Sequence, residues 1–555
     1  MFTHLKAGSS PNIDKRLQFL LVMGLTLIAA WLRFSSIGFG LPDQFRPDEE
    51  RTVPTALGFE KDWNPHFAIY PAAQTYLIHG ALRSYATVTG AGANLETAYG
   101  SNNRAQAFLI ARQISAAMGT ATVPVLYLAV APVFGSAAAL ASAVIVGVCY
   151  IHVRESKFAK PEVPAGLWLA LSIFAILRIA TRGYLIDYVL AGLFCGLAAA
   201  THYAAGAIVI GIFVAHVEAR RRENQPMLAS RLAPRIYLAG LVAILTFCCA
   251  DPYFFLDLRQ TVLDFAYLRS SYRMWNGGHS PVGYGWPWLL LRAMPAGFGI
   301  GLEVFLFAAM LWVIFRPRPG TFPLLAFVVV CFLMLTGGHP QLEFRYLTTP
   351  LLAMAVLGGV FASDMTALAC SRIGARPGLL MAGFVSIVIL APSLIRDVQL
   401  NWLLDQTDSR TIARKWMIEH IPRASTVVFV GGDGFGKPQV TGIYDPLPVH
   451  SLDCLKRATK SAQWVVSDSF PPLSTWSPGA TDAELAELNS KGTLEFDMGS
   501  MRPGTDPVFD PNDAFYVPFT HATDMLRPGP RIRIWKITAS PSASTVPAAF
   551  PPGGC

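Results

Sequence analysis

Apolar runs long enough to cross about 30 Å of hydrocarbon, roughly 20 residues each, recur along the chain from residue 17 to residue 396. They fall at 17–34, 105–131, 137–152, 163–180, 185–200, 203–217, 236–250, 294–315, 321–337, 346–362 and 378–396. The pattern therefore predicts an α-helical polytopic membrane protein with about eleven transmembrane helices. The first run follows Lys15 and Arg16 without a small-residue cleavage site, so it reads as a retained span. The stretch from Ala72 to Ser84 is shorter and amphipathic, which suits a helix lying in the interface. From about Asp397 the character changes: Gly, Pro and charge increase and no stretch could span. An amphipathic helix over Ser409 to Ile421, the β-branched run Thr426 to Val430, and strand candidates Trp464 to Ser467 and Arg531 to Ile537 predict a C-terminal soluble α/β domain. The expected organisation is a membrane domain over 1–396 whose first outer loop, 35–103, carries interfacial helices. An α/β domain over 397–540 and a Pro/Ala/Ser-rich, disordered tail over 541–555 follow.

Composition sharpens the membrane reading. Charged residues make up 14% of the 555 and hydrophobic ones 53%, against about 25% charged in soluble domains. The net charge of +8 acquires meaning from its location, since nucleic-acid binding and membrane topology both use Lys and Arg. Here the basic residues concentrate in short loops: Arg220, Arg221, Arg222, Arg231 and Arg235, then Arg316 with Arg318, then Arg372 with Arg376. The positive-inside rule makes those loops and the N-terminus cytoplasmic. With eleven spans, segments 35–103, 152–162, the His202 turn, 251–286, 337–346 and the C-terminal domain then face outward, the expected setting being a bacterial inner or plasma membrane. Eight cysteines show no CxxC or Cys/His spacing, which supports neither a zinc site nor a disulfide framework. Cys149, Cys195, Cys248, Cys249 and Cys331 read as small hydrophobes. Cys454 and Cys555 both fall outside and could pair, although a disordered tail gives no geometric support.

The candidate chemistry lies in the outward segments. Arg46-Pro47-Asp48-Glu49-Glu50 places three acids within one turn. They fit the first turn of a helix, where Pro and acids are favoured, and they equally fit a general base acting on an acceptor hydroxyl at the membrane face. Further outer segments carry Asp62 to Phe67 with His66, then Tyr70-Pro71, Arg154 to Glu162 with Lys157, Thr201-His202-Tyr203, Gly278-His279 and Glu343-Phe344-Arg345-Tyr346. One cation at a span end is ordinarily a snorkelling anchor. Several cations and acids beside apolar spans suit a lipid phosphate whose tail stays in the bilayer. Gly431 to Lys437 imitates a phosphate loop, but Pro438 replaces the Ser or Thr that would meet magnesium, so it reads as a glycine-rich turn. A transporter or flippase of lipid-linked sugars is the rival reading. It calls for charges at midplanes, whereas these lie at span ends beside a large outer domain.

In this order, Arg46-Pro47-Asp48-Glu49, Asn64-Pro65-His66-Phe67, Tyr70-Pro71, Arg112, Lys157 to Glu162, Asp251-Pro252-Tyr253, Gly278-His279 and Arg345-Tyr346 resemble a family. It is that of the GT-C membrane glycosyltransferases, which take sugar from a polyprenyl-phosphate carrier; protein O-mannosyltransferases and the aminoarabinose lipid A transferase (glycosyltransferase family 39-like) are its branches. The resemblance runs from about residue 17 to 430, including Asp408-Ser409-Arg410 to Ile421-Pro422. It implies an inverting transfer to an acceptor hydroxyl at the outer face, with Asp48 as catalytic base and Glu49 its neighbour. It further implies donor phosphate and carrier binding by Arg345, Lys157, His202, His279 and Arg112, and a substrate pocket with Glu162, His66, Tyr70 and Tyr346. His202 stands where many relatives carry Lys, Glu162 where Asp is commoner, and Tyr70-Pro71-Ala72-Ala73 departs from the usual Pro-Pro-Leu. No cofactor is expected beyond the lipid-phosphate-linked sugar as donor substrate, and no metal, although Asp48 with Glu162 could share a divalent ion. The expected partners are the polyprenyl-phosphate sugar and an acceptor protein, lipid or glycan, with no nucleic acid.

Overall fold

The computed structural model describes residues 14–43, 47–92, 94–100, 103–223, 233–274, 285–336, 343–430, 436–440, 442–444, 446–469, 480–505, 517 and 522–538. The chain divides into two compact units, one of residues 1–37 with 51–398, the other of residues 38–50 with 399–555.

The first unit is helical. Asp14 caps its first helix, Lys15–Phe34, by accepting the Arg16 N–H. Among the described residues, six helices are long and apolar enough to cross a membrane: Lys15–Phe34, Arg104–Phe134, Glu162–Thr181, Tyr203–Arg222, Phe344–Ile373 and the one that starts at Ala375, which ends at Asp405. Shorter apolar helices run over Ser136–Val148, Leu185–Thr201, Pro234–Ala250 and Thr321–Thr336. The amphipathic stretch is a helix, Ala73–Thr89, closed by Gly90 in the left-handed conformation.

Two of the apolar stretches are not continuous. The stretch 294–315 bends by 115° between Trp286–Phe298 and Ile300–Phe315, where Gly299 adopts φ +84°, a conformation that glycine tolerates. The stretch 137–152 breaks at Cys149, whose backbone is extended, and resumes as Tyr150–Glu155. Arg33, fully buried in the first helix, meets the chain at this break. Its Nη1 and Nη2 donate to the carbonyls of Gly147 and Val146 at 2.9 and 3.0 Å, and Nη2 also donates to His152 Nδ1 at 2.9 Å. Helix-end carbonyls that lack an intrahelical partner are thereby satisfied by a charged donor.

Close helix packing comes from glycine. A Cβ on Gly192 would collide with the Ala239 carbonyl oxygen, and one on Gly196 would lie 2.5 Å from the Ala243 oxygen. Gly192 and Gly196, four residues apart on Leu185–Thr201, thus let it lie directly on Ala233–Ala250, as small-xxx-small stripes do in membranes.

The second unit is built on a five-stranded mixed sheet, order β2-β1-β3-β5-β4, with β1 Val427–Val430, β2 Leu447–Val449, β3 Trp464–Ser469, β4 Gly492–Met498 and β5 Arg531–Ile537. β1 runs parallel to β2 and β3, while β5 is antiparallel to β3 and β4. Alternation along β1 sends Val427 and Phe429 to one core, shared with Ala413 and Met417 of helix Ser409–His420. Val428 and Val430 enter the other, against Leu455 of Leu452–Ala458 and Leu488 of Asp482–Lys491. Residues 38–50, assigned from sequence to the first outer loop, cluster with this unit: Thr411 Oγ1 donates to Asp43 Oδ2 at 2.7 Å. Cys454 is disulfide-bonded; Cys555, the tail and the glycine-rich segment 431–435 lie outside the described residues. Lys437 is buried, 3.9 Å from Asp468 of β3.

Candidate active site

The loop between Tyr150–Glu155 and Glu162–Thr181 brings alternating charges under cover. Arg154 Nη1 donates to Glu155 Oε1 at 2.5 Å, and Lys160 Nζ donates to Glu155 Oε2 at 3.3 Å and stands 4.0 Å from Glu162 Oε1. All four side chains are buried. Glu162 opens its helix, where the dipole favours a carboxylate. Opposite it, the 3₁₀ turn Phe344–Leu347 places Arg345 Nε 2.9 Å from Glu162 Oε1 and Nη1 3.8 Å from Glu343 Oε2. The Arg345 guanidinium also lies over the Tyr346 ring, 5.6 Å from its centroid. Tyr346 in turn neighbours His202, with ring centroids 6.4 Å apart. Burial pushes the His202 pKa below its usual value; the Glu162 carboxylate opposes that shift, and Arg345 and Lys160 add to it. Burial thus disfavours the charged form of His202.

Glu162, Arg345, His202 and Tyr346 are thus brought together, joined by Arg154, Glu155 and Lys160. The other cations go elsewhere. Lys157 Nζ donates to the Ser35 and Arg33 carbonyls at 2.7 and 3.3 Å, and Arg112 Nη1 donates to the Ile37 carbonyl at 3.0 Å. Both therefore satisfy backbone that follows or ends the first helix. Lys157 and Lys160, three residues apart, separate because the intervening loop turns back on itself, with Lys160 N–H donating to the Phe158 carbonyl at 2.9 Å.

His66 and Tyr70 belong to a third region. His66 adopts φ +50° and its Nε2 pairs with Asp62 Oδ2 at 2.7 Å. The Asn64 backbone N–H and then His66 hold the Asp62 carboxyl below its usual pKa. Asn64 Nδ2 donates to Asp257 Oδ2 at 2.8 Å and the Ala68 N–H to Asp264 Oδ2 at 2.6 Å, which ties this loop to Leu258–Met274. Tyr70 is half-buried, its ring 5.8 Å from Phe67. Asp48 and Glu49 lie in the first turn of helix Pro47–Gly58, Asp48 half-buried and Glu49 buried. His279 and Arg46 lie outside the described residues. Among the described residues, no group of three or more His, Cys, Asp or Glu could hold a metal ion.

Residues 104–250 match the family model of dolichyl-phosphate-mannose-protein mannosyltransferases. The oligosaccharyltransferase of Archaeoglobus fulgidus in its apo form superposes with a TM-score of 0.51 at 14% identity, covering 91% of this chain and 76% of that one. The same enzyme, AglB, in complex with an inhibitory peptide and a dolichol-phosphate, gives 0.50 at 14% identity over 82% and 69% of the two chains. ArnT of Cupriavidus metallidurans bound to undecaprenyl phosphate gives 0.50 at 12% identity over 95% of this chain and 99% of that one. No curated protein matches the sequence. The fold is that of the GT-C membrane glycosyltransferases, a multi-pass membrane domain with a small C-terminal sheet domain.

Proposed function

We propose that this protein is an inverting glycosyltransferase that moves a sugar from a polyprenyl-phosphate carrier to an acceptor hydroxyl at the outer face of the membrane. The observation that carries the reading is the buried cluster around Arg345. A guanidinium and an ammonium, Arg345 and Lys160, sit buried beside Glu162, which is the kind of donor pair that a lipid-borne phosphate needs. The acceptor hydroxyl loses its proton to a carboxylate, assigned to Asp48 from the resemblance, with Glu49 beside it in sequence. The acceptor oxygen then attacks the anomeric carbon from the face opposite the phosphate. The bond from that carbon to the phosphate oxygen breaks, its electron pair leaves on the carrier phosphate, and the configuration inverts. Arg345 and Lys160 stabilise the charge gathering on the departing phosphate, so no proton has to be delivered to it. Glu162 holds the Arg345 fork in place between turnovers, and the phosphate competes with it for that fork. Fold likeness to proteins solved with dolichol-phosphate and undecaprenyl phosphate supports the carrier class.

The test is release of carrier from a radiolabelled polyprenyl-phosphate sugar by the purified protein. Asp48→Asn is expected to retain carrier binding and to lower turnover by about 10² to 10⁴, the contribution of a positioned base. Near-normal turnover would return the three acids to the role of a helix start.

A further inference from the structure

An open cleft of about 850 Å³ lies between the end of helix Pro47–Gly58 and helix Ala73–Thr89, away from the buried charges. That volume is in the range of small-ligand sites, about 300 to 1,000 Å³. One wall is aromatic. Phe59 is buried and stacks on Tyr76 at 4.7 Å and on Trp63 at 5.9 Å with 16° between planes, so the Trp63 ring is held in place while 55% of the residue stays exposed. An indole fixed by stacking yet left open to solvent presents a rigid π face.

The other wall is polar but carries no net charge. Glu60 and Arg83 pair with each other at the cleft, the carboxylate mostly covered and the guanidinium half exposed. His79 Nδ1 lies 2.8 Å from the Ala56 carbonyl, which can only accept. Nδ1 therefore carries a hydrogen, and in that tautomer Nε2 is the acceptor of the ring. His79 also packs edge-on to Trp63 at 5.1 Å. Gly80 also lines the cleft, and a Cβ added there would meet nothing within 4 Å.

We infer that this cleft binds a neutral sugar ring of the acceptor. The inference rests on the glycosyltransferase reading for the word acceptor, and on the cleft alone for the sugar. A pyranose has an apolar face of axial C–H groups that packs on a fixed indole, and a rim of hydroxyls that both donate and accept. Arg83 supplies donors, and Glu60 and His79 Nε2 supply acceptors, within one wall. An anionic lipid headgroup or a phosphate would call for excess positive charge, and the Glu60–Arg83 pair cancels its own. The acceptor is thereby narrowed to a glycan or a glycan-bearing lipid, with a sugar unit beside the one whose hydroxyl reacts.

Saturation-transfer NMR on the full chain in detergent, with maltohexaose, cellohexaose and mannohexaose as probes, tests this directly. Transfer to ring protons of at least one probe is expected. Trp63→Ala should reduce it at least fivefold. Gly80→Phe, whose Cβ enters open space and whose ring occupies the cleft, should abolish it with the helical circular dichroism unchanged. Carrier release from the donor in the absence of acceptor is measured on the same samples and should be unaltered in Gly80→Phe. Absence of carrier release in the wild type both with water as the only acceptor and with the binding oligosaccharide added, while sugar binding is intact, overturns the transferase reading and leaves the site. No transfer from any probe, transfer that survives both variants, or a co-purified phospholipid lost from Gly80→Phe in native mass spectrometry overturns the sugar site.

Discussion

Arg345 is the residue on which the phosphate assignment turns, because its planar fork grips two oxygens and a Lys ammonium cannot. Arg345→Lys keeps the charge, so apparent KM for the carrier should rise about tenfold or more, the loss of one charge-assisted hydrogen bond, with thermal stability nearly unchanged. Glu162→Gln removes the competing carboxylate and should lower that KM while slowing carrier release; opposite signs in the two variants are the signature to look for. Lys157 offers a different readout. Desolvation pushes its pKa down from 10.5 to about 7, with Asp397 opposing the shift and Arg33 adding to it. Between those pH values the unfolded chain holds a proton that the folded chain has released, so stability rises with pH across the window and gains nothing from this group below it. Melting temperature measured from pH 7 to 10 should therefore climb more steeply in the wild type than in Lys157→Met. Equal slopes would show that the ammonium is not desolvated. At this scale the sequence was partly legible. Glu162, Arg345, His202 and Tyr346 stood out as polar groups at span ends. Which lysine of the second loop joined them depended on a backbone turn that no spacing rule encodes, and the protonation of His202 depended on burial.

Among the elements, those specified by hydrophobic pattern were legible and those specified by a single side chain were not. Strands β1, β3 and β5 follow from β-branched or alternating runs. β2 is three residues with Pro448 in the middle, and β4 is a largely exposed edge carrying Glu495 and Asp497, so neither had a hydrophobic signature. The break at Cys149 was hidden for another reason: the carbonyls it leaves open are met by an arginine more than a hundred residues away. The glycine stripe gives the element-scale prediction. Gly196→Ala forces backbone apart and should destabilise the membrane unit by about 1 to 3 kcal/mol, the range for overpacking. Gly240→Ala, on the partner helix with nothing within 4 Å of the added carbon, should be neutral. Differential scanning fluorimetry in detergent compares the two; equal melting temperatures would mean that the helices separate freely.

For the molecule as a whole, a many-helix apolar region followed by a small sheet domain was legible from the sequence, because hydrocarbon thickness sets a length scale; six of the described helices, or seven with the bent pair, meet that length. Residues 38–50 escaped that logic, since a short polar segment carries no mark of the distant chain it joins. Orientation rests on loop charge and is open to a direct test. An alkaline phosphatase fused after Trp535 should be active, and a cytoplasm-only reporter at the same position silent; the reverse result would move the proposed chemistry to the other face. The covalent bond at Cys454 carries this question further, because such bonds persist in oxidising compartments and are reduced in the cytosol. A molecule inserted upside down would keep that sulfur as a thiol. Every copy of the protein would then record, in the redox state of that cysteine, which way round it entered the membrane, and peptide mass spectrometry of the alkylated, purified protein could count the errors at Cys454.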